Sequence, residues 1–255
     1  MKHIVKKIRI AVVTMAIALW TVFGIGLSVP AFGQQPFVDK LILDDTIQPV
    51  SADEVTRALD RANSDGAGAL LIEINTPGGL LSSMRDMVGG ILRSRVPVIV
   101  YVGPSGARAG SAGFFILESA DVAAMAPGTE AGAAHPVFEF GGQPDTTEMQ
   151  KVENDAEAFL RSYVSKRNRN TDAAVAAVQS SHSYTAEESL NQHLIDLIAN
   201  SDNDLLNSLG GREITRMNGS ISTIPAMRSG ISAAAQTADP PAIELPTMKA
   251  LPAPR

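Results

Sequence analysis

Two short apolar runs, ALLIEIN at 69–75 and VPVIVYV at 96–102, restrict the fold more than any other feature of this chain. Each is continuous rather than alternating and has the length of a strand. That is the pattern of strands buried on both faces, as in a parallel sheet covered by helices. The segments around them alternate in kind. VDKLILDD (38–45) reads as a strand, SADEVTRALDRANSD (51–65) as a helix opened by Ser51 with Glu54 three residues on, and LLSSMRDMVGGILRSR (80–95) as a second helix. SAGFFILES (111–119) reads as a short apolar helix, DVAAMAP (121–127) as a strand and 146–168 as a long helix. Two shorter helical segments and a strand at IDLIA (195–199) follow. This β-α-β-α order specifies an α/β layered domain with a mostly parallel sheet and flanking helices. REITRMNGSISTI (212–224) reads as a hairpin turning at Asn218-Gly219.

The two ends differ from this body. Lys2, Lys6, Lys7 and Arg9 precede an uncharged, mostly apolar run from Ile10 to Val29 that leads into VPAFG. Residues 1–33 are therefore a signal peptide, cleaved after Gly33, or an N-terminal membrane anchor, since the run approaches the roughly 20 residues that span a bilayer. Either way the basic flank directs the body out of the cytoplasm, and the expected location is periplasmic or otherwise extracytoplasmic. Residues 224–255, rich in proline and alanine, are expected to form a disordered tail. That leaves 34–223 as one domain.

Charge and composition exclude several classes. With 21 basic and 27 acidic residues the net charge is −6, and without the four basic residues of the leader it is −10. Nucleic acid is not an expected partner. The chain has no cysteine, and its four histidines show no metal-ligand spacing. No metal and no cofactor are expected.

Two glycine-rich loops stand out. NTPGG (75–79) and GPSGARAGS (103–111) each follow a strand and each run into a helix, so both leave the same edge of the sheet, where α/β domains build their sites. Helix starts expose unpaired N–H groups that favour negative charge. Ser111, placed at such a start, is a candidate nucleophile. A serine hydroxyl needs a base to take its proton. His135 in GAAHPV is one candidate, and Lys151 at the start of the long helix is the other. A lysine acts as a base only when neutral, which burial favours and nearby carboxylates oppose. Apolar walls such as Phe114, Phe138 or Phe159 would help it, and Glu148, Glu153 and Asp155 would hinder it. The residues by themselves leave both bases open.

INTPGGLLSSM, PVIVYVGPSGARAGSAGFFILESADVAAMAPGTEAGAAHPV, KVENDAEAFLRSYVSKRNRN and YTAEESLNQHLID together resemble the N-terminal protease domain of the NfeD family of membrane-bound serine proteases. That domain has the ClpP/crotonase-like fold. The likeness runs from about Phe37 to about Ala199. It implies a Ser-Lys dyad of Ser111 and Lys151, with Asn154 one turn beyond the lysine. It also implies an oxyanion hole built from the backbone N–H groups of Gly79 and Ala112. Gly78, Leu80, Val137 and Phe138 are the expected substrate-binding residues, and His135 is kept as the alternative base, because ClpP itself uses a histidine.

The activity so implied is an extracytoplasmic endopeptidase that cleaves apolar peptide segments, with a stomatin-like membrane protein as candidate substrate and a homo-oligomer as the expected assembly. The alternative is a catalytically silent scaffold of the same fold that binds peptides. An acyl-CoA enzyme of crotonase type is disfavoured by the secretory leader. Longer NfeD proteins continue into transmembrane helices and often a small β-barrel, whereas this chain looks like a short, protease-domain-only form.

Overall fold

The computed structural model describes residues 37–137 and 145–226. The expected leader, Phe138 and most of the expected tail lie outside them. A five-stranded sheet runs in the order β1 (Val38–Asp44), β2 (Ala69–Asn75), β3 (Val98–Val102), β5 (Val122–Met125), β8 (Leu197–Ile198), and every neighbouring pair is parallel. The expected α/β architecture with a parallel sheet is the one observed.

The continuous apolar runs have the predicted cause. Leu70, Ile72 and Ile74 with Val98, Val100 and Val102 pack into one core, while Ala69, Leu71, Ile99 and Tyr101 pack into a second core on the other face. The first core is covered by α1 (Pro49–Asp65), α2 (Leu81–Arg93), α3 (Ala112–Ser119), α4 (Thr146–Val164) and α5 (Thr171–Gln179), each of which buries residues in it. The second is closed by Leu205, Leu206 and Leu209 of α7 (Asp202–Leu209) and by Ile214 of the hairpin β9 (Glu213–Thr215) and β10 (Ile221–Thr223). The hairpin turns at Asn218-Gly219, with Gly219 at φ 81° as expected.

Three local readings change. The helix α1 begins at Pro49 with Gln48 as its cap, not at Ser51. Proline at the first helical position is pre-set for the helix and needs no N–H there, so the start moves upstream, and Ser51 Oγ instead receives the Gln48 N–H at 2.9 Å. A second, three-stranded sheet of β4 (Arg108–Gly110), β6 (Glu130–Gly132) and β7 (Ser183–Thr185) lies in segments not read as strands; α6 (Ala186–Asn191) follows β7 directly. The packed body also extends past residue 223, because Ile224 is fully buried and its N–H donates to the Arg212 carbonyl at 3.0 Å.

One buried ionic cluster ties the layers. Asp121 accepts from the Val98 N–H at 2.9 Å and from the Arg167 guanidinium, and Arg216 Nε lies 2.9 Å from it. Removing the carboxylate would leave two buried cations unpaired, a change that costs about 3–5 kcal/mol in comparable pairs. Among the described residues no helix is long and apolar enough to cross a membrane.

Candidate active site

Ser111 joins β4 to α3, so a strand runs through one residue into a helix. Its φ of 50° and ψ of −115° lie in a region that a residue with a Cβ adopts at a cost of about 1–3 kcal/mol. What holds it there is hydrogen bonding on both sides. The Ser111 N–H donates to the Gly132 carbonyl of β6 at 2.8 Å, and the Gly110 N–H donates to the Thr76 carbonyl at 3.0 Å. The sharp turn leaves the serine half-buried while all of α3 behind it is buried.

The α3 helix is also polarised toward its start. At its far end Arg169 donates to the carbonyls of Glu118 at 2.6 Å and Ala120 at 3.1 Å, and Arg167 Nε donates to that of Ser119 at 3.0 Å. Cations at a helix C-terminus and an anion at its N-terminus both complement the helix dipole. The free N–H groups beside Ser111 are thus placed where negative charge is favoured.

The first glycine loop is fixed against the second. Asn75 Oδ1 accepts from the Arg108 N–H at 3.1 Å, the Thr76 N–H donates to the Arg108 carbonyl at 2.8 Å, and the Gly78 N–H donates to Thr76 Oγ1 at 3.1 Å. Gly78 at φ 116° sits so close to the serine that a Cβ there would stand 2.6 Å from Ser111 Cβ and 3.2 Å from Oγ. Ile47 takes both neighbours of Gly79, donating to the Gly78 carbonyl at 2.8 Å and accepting from the Leu80 N–H at 2.7 Å. In such a parallel pairing the N–H of the intervening residue points away from the partner. Among the described residues neither the Gly79 nor the Ala112 N–H donates to any protein group. Two donors are therefore unspent, one on the residue after the serine and one on the residue after the glycine that crowds it; paired N–H donors can stabilise an oxyanion in acyl transfer.

The candidate bases are placed differently. Lys151 lies on the second turn of α4, exposed, and makes no hydrogen bond to Ser111 Oγ. Of the acids beside it, Asp155 pairs with Arg85 at 2.6 Å, Glu153 lies 3.9 Å from His135 Nδ1, and Glu148 is exposed in the first turn, its N–H taken by Asp145 at 2.8 Å. Of the expected apolar walls, Phe114 is fully buried in the core and Phe159 packs its ring on Arg85, 4.3 Å from the centroid. His135 Nδ1 lies 3.0 Å from the Val178 carbonyl, and it too makes no hydrogen bond to the serine. Of the expected substrate-binding residues, Leu80 and Val137 are exposed, Val137 at 74%.

The structure places Ser111 and the loop glycines side by side, as the sequence led one to expect of the two loops. Sequence reasoning missed Thr76, buried at 0% and bonded to both loops, and the arginine caps of α3. Thr76 was legible as the residue before Pro77 in the same motif; the arginines, 48–51 residues from their carbonyls, carried no local signal.

Known proteins resemble this chain over the same region. The NfeD1b N-terminal domain matches residues 38–212. The membrane-bound protease PH1510 of Pyrococcus horikoshii is 36% identical over 160 residues, which are 62% of this chain and 36% of that protein. The membrane protein NfeD1b of Bacillus subtilis is 33% identical over 162 residues, 64% of this chain and 35% of that one. The chain thus matches little more than a third of the length of either relative. Among solved structures, the 1510-N membrane-bound stomatin-specific protease, as a lysine-to-alanine variant with a substrate peptide, superposes with a TM-score of 0.73 at 29% identity, covering 80% of this chain and 94% of that one. Its serine-to-alanine variant superposes with the same score at 30% identity, covering 80% and 99%.

Proposed function

The chain belongs to the NfeD1b N-terminal domain family, and from that footing we propose that it is a serine endopeptidase in which Ser111 is the nucleophile and Lys151 the base. The observation that carries this reading is the strained turn at Ser111, set against Gly78, with the Gly79 and Ala112 N–H groups unspent beside it.

The reaction is acyl transfer. Neutral Lys151 takes the hydroxyl proton, Oγ attacks a peptide carbonyl, and the two N–H groups hold the tetrahedral anion, a donor of this kind being worth about 3 kcal/mol. The lysine ammonium then gives its proton to the leaving amine. Water hydrolyses the acyl-enzyme with the lysine again as base. Lys151 is exposed in the single chain. In this reading bound substrate or a second copy of the chain covers the amine and so favours its neutral form. This is the physical argument for a homo-oligomeric assembly.

The substrate in this reading is an apolar peptide segment laid across Leu80 and Val137, and a stomatin-like membrane protein is the candidate source. The 1510-N protease, similar in fold, is described as stomatin-specific. The basic-then-apolar leader supports action outside the cytoplasm. The test is to incubate the full chain with peptides covering the apolar C-terminal segment of a stomatin-like protein. The parent should cut them and Ser111→Ala should not. A folded parent that binds such peptides and leaves them whole would make the protein a binding scaffold.

A second assignment of the base rests on His135. The Val178 carbonyl takes the Nδ1–H, so Nε2 is the ring nitrogen that would accept a proton in this role.

A further inference from the structure

The far end of α4 is strongly held. Tyr163 Oη donates to the Phe115 carbonyl at 3.1 Å, and the arginines just beyond, Arg167 and Arg169, cap the end of α3. These bonds lie three turns or more beyond Lys151. Nearer the lysine the side-chain ties among the described residues are few. Glu153 approaches His135 at 3.9 Å, and Arg85 of α2 grips two residues at once. Its Nη2 donates to Asp155 Oδ2 at 2.6 Å, and its guanidinium carbon stands 4.3 Å over the Phe159 ring.

Residues 151, 155 and 159 are spaced four apart and therefore lie on one stripe of the helix. Arg85 holds the second and third members of the stripe that Lys151 begins. It sits in the second turn of α2, whose first residue, Leu81, follows the Gly79 loop by one residue. The same short helix therefore carries the oxyanion loop at its start and the grip on α4 one turn later. Phe159 passes the contact on, its ring meeting Tyr163 edge-on at 5.5 Å.

We propose that Arg85 is a positioning residue for the reaction: by clamping Asp155 and Phe159 it fixes where the Lys151 end of α4 stands relative to the Gly79 loop and Ser111. The inference rests on the Ser111–Lys151 reading. An exposed ion pair adds little to stability, and a cation over an aromatic ring adds little more. Arg85 is therefore of small consequence for folding. Its effect is on geometry, and a displacement of about 1 Å at a reacting group costs up to about a hundredfold in rate.

The experiment is steady-state hydrolysis of an apolar peptide by the full chain, with thermal unfolding alongside, for the parent, Arg85→Ala, Arg85→Lys, Lys151→Ala and the double variant Arg85→Ala/Lys151→Ala. Arg85→Ala should lower kcat about tenfold, leave KM within about twofold and hardly move Tm. Arg85→Lys, which keeps the pairing to Asp155, should recover part of the loss. In the Lys151→Ala background the arginine substitution should change nothing further. An Arg85→Ala variant with parental kcat overturns the inference. So does an arginine substitution that lowers the residual rate of Lys151→Ala by the same factor, because the arginine would then act independently of the lysine, with the dyad left standing. Parental turnover by Lys151→Ala overturns the dyad and this inference with it.

Discussion

Gly78 and Ser111 are in backbone-to-side-chain contact across the two loops: a Cβ on the glycine would lie 2.6 Å from the serine Cβ. No real pair of Cβ atoms stands so close, and neither atom belongs to a flexible side-chain end. The φ of 116° at Gly78 adds backbone strain to the clash. Gly78→Ala should therefore cost about 1–3 kcal/mol of stability and displace the serine from the Gly79 N–H. Urea unfolding and peptide hydrolysis on the same preparation check this. A variant as stable and as active as the parent would mean that the loops do not meet as described.

At Ser111 itself, catalysis and backbone strain should separate. A non-glycine residue at φ 50°, ψ −115° is strained, and glycine is not. Ser111→Gly and Ser111→Ala should both be inactive, yet the glycine variant should unfold at the higher temperature, because it alone relieves the strain. Thermal unfolding of the two inactive variants side by side provides the comparison; an alanine variant as stable as the glycine one would count against strain at the turn.

Glu118 makes stability depend on pH. Its carboxyl is fully buried in α3, and neither oxygen has a hydrogen-bond partner among the described residues. Burial pushes the group up to about 8, against the pull of Arg169 and with the help of Asp196. Below pH 4.5 it is protonated in the folded and unfolded chain alike. Between 4.5 and about 8 the unfolded chain releases the proton while the folded chain keeps it, so stability falls as pH rises, by up to about 1.4 kcal/mol per unit. Above that window the penalty stays constant. Glu118→Gln should remove this fall, which chemical denaturation at pH 5, 6, 7 and 8 would reveal as diverging curves for parent and variant. Parallel curves would refute the buried acid.

How much of this was legible follows from the length over which each signal acts. The central strands of the large sheet, buried on both faces, announced themselves as apolar runs such as Val98–Val102. Strands β4, β6 and β7 did not, because three residues such as Arg108-Ala109-Gly110 contain no periodicity. The helix α7 did carry a signal: Ser201 accepts the Asp204 N–H at 3.1 Å, ahead of the buried Leu205, Leu206 and Leu209. It was overlooked beside the more obvious hairpin. At the site, Ser111 and the glycines could be read because small residues are needed wherever backbones crowd. Lys151 could be chosen over His135 only through family resemblance. The grip of Arg85 on α4 spans 70 residues of sequence and could be seen only in three dimensions.

The central claim is that Lys151 activates Ser111. The most direct measurement is the rate at which an activated acyl ester acylates Ser111, followed as a burst of leaving group and located by mass spectrometry, in the parent, Ser111→Ala, Lys151→Ala and His135→Ala. The account predicts a burst on Ser111 in the parent and in His135→Ala, none in Ser111→Ala, and a rate lower by at least about a hundredfold in Lys151→Ala. An undiminished burst in Lys151→Ala, with loss in His135→Ala, would contradict it and make the histidine the base.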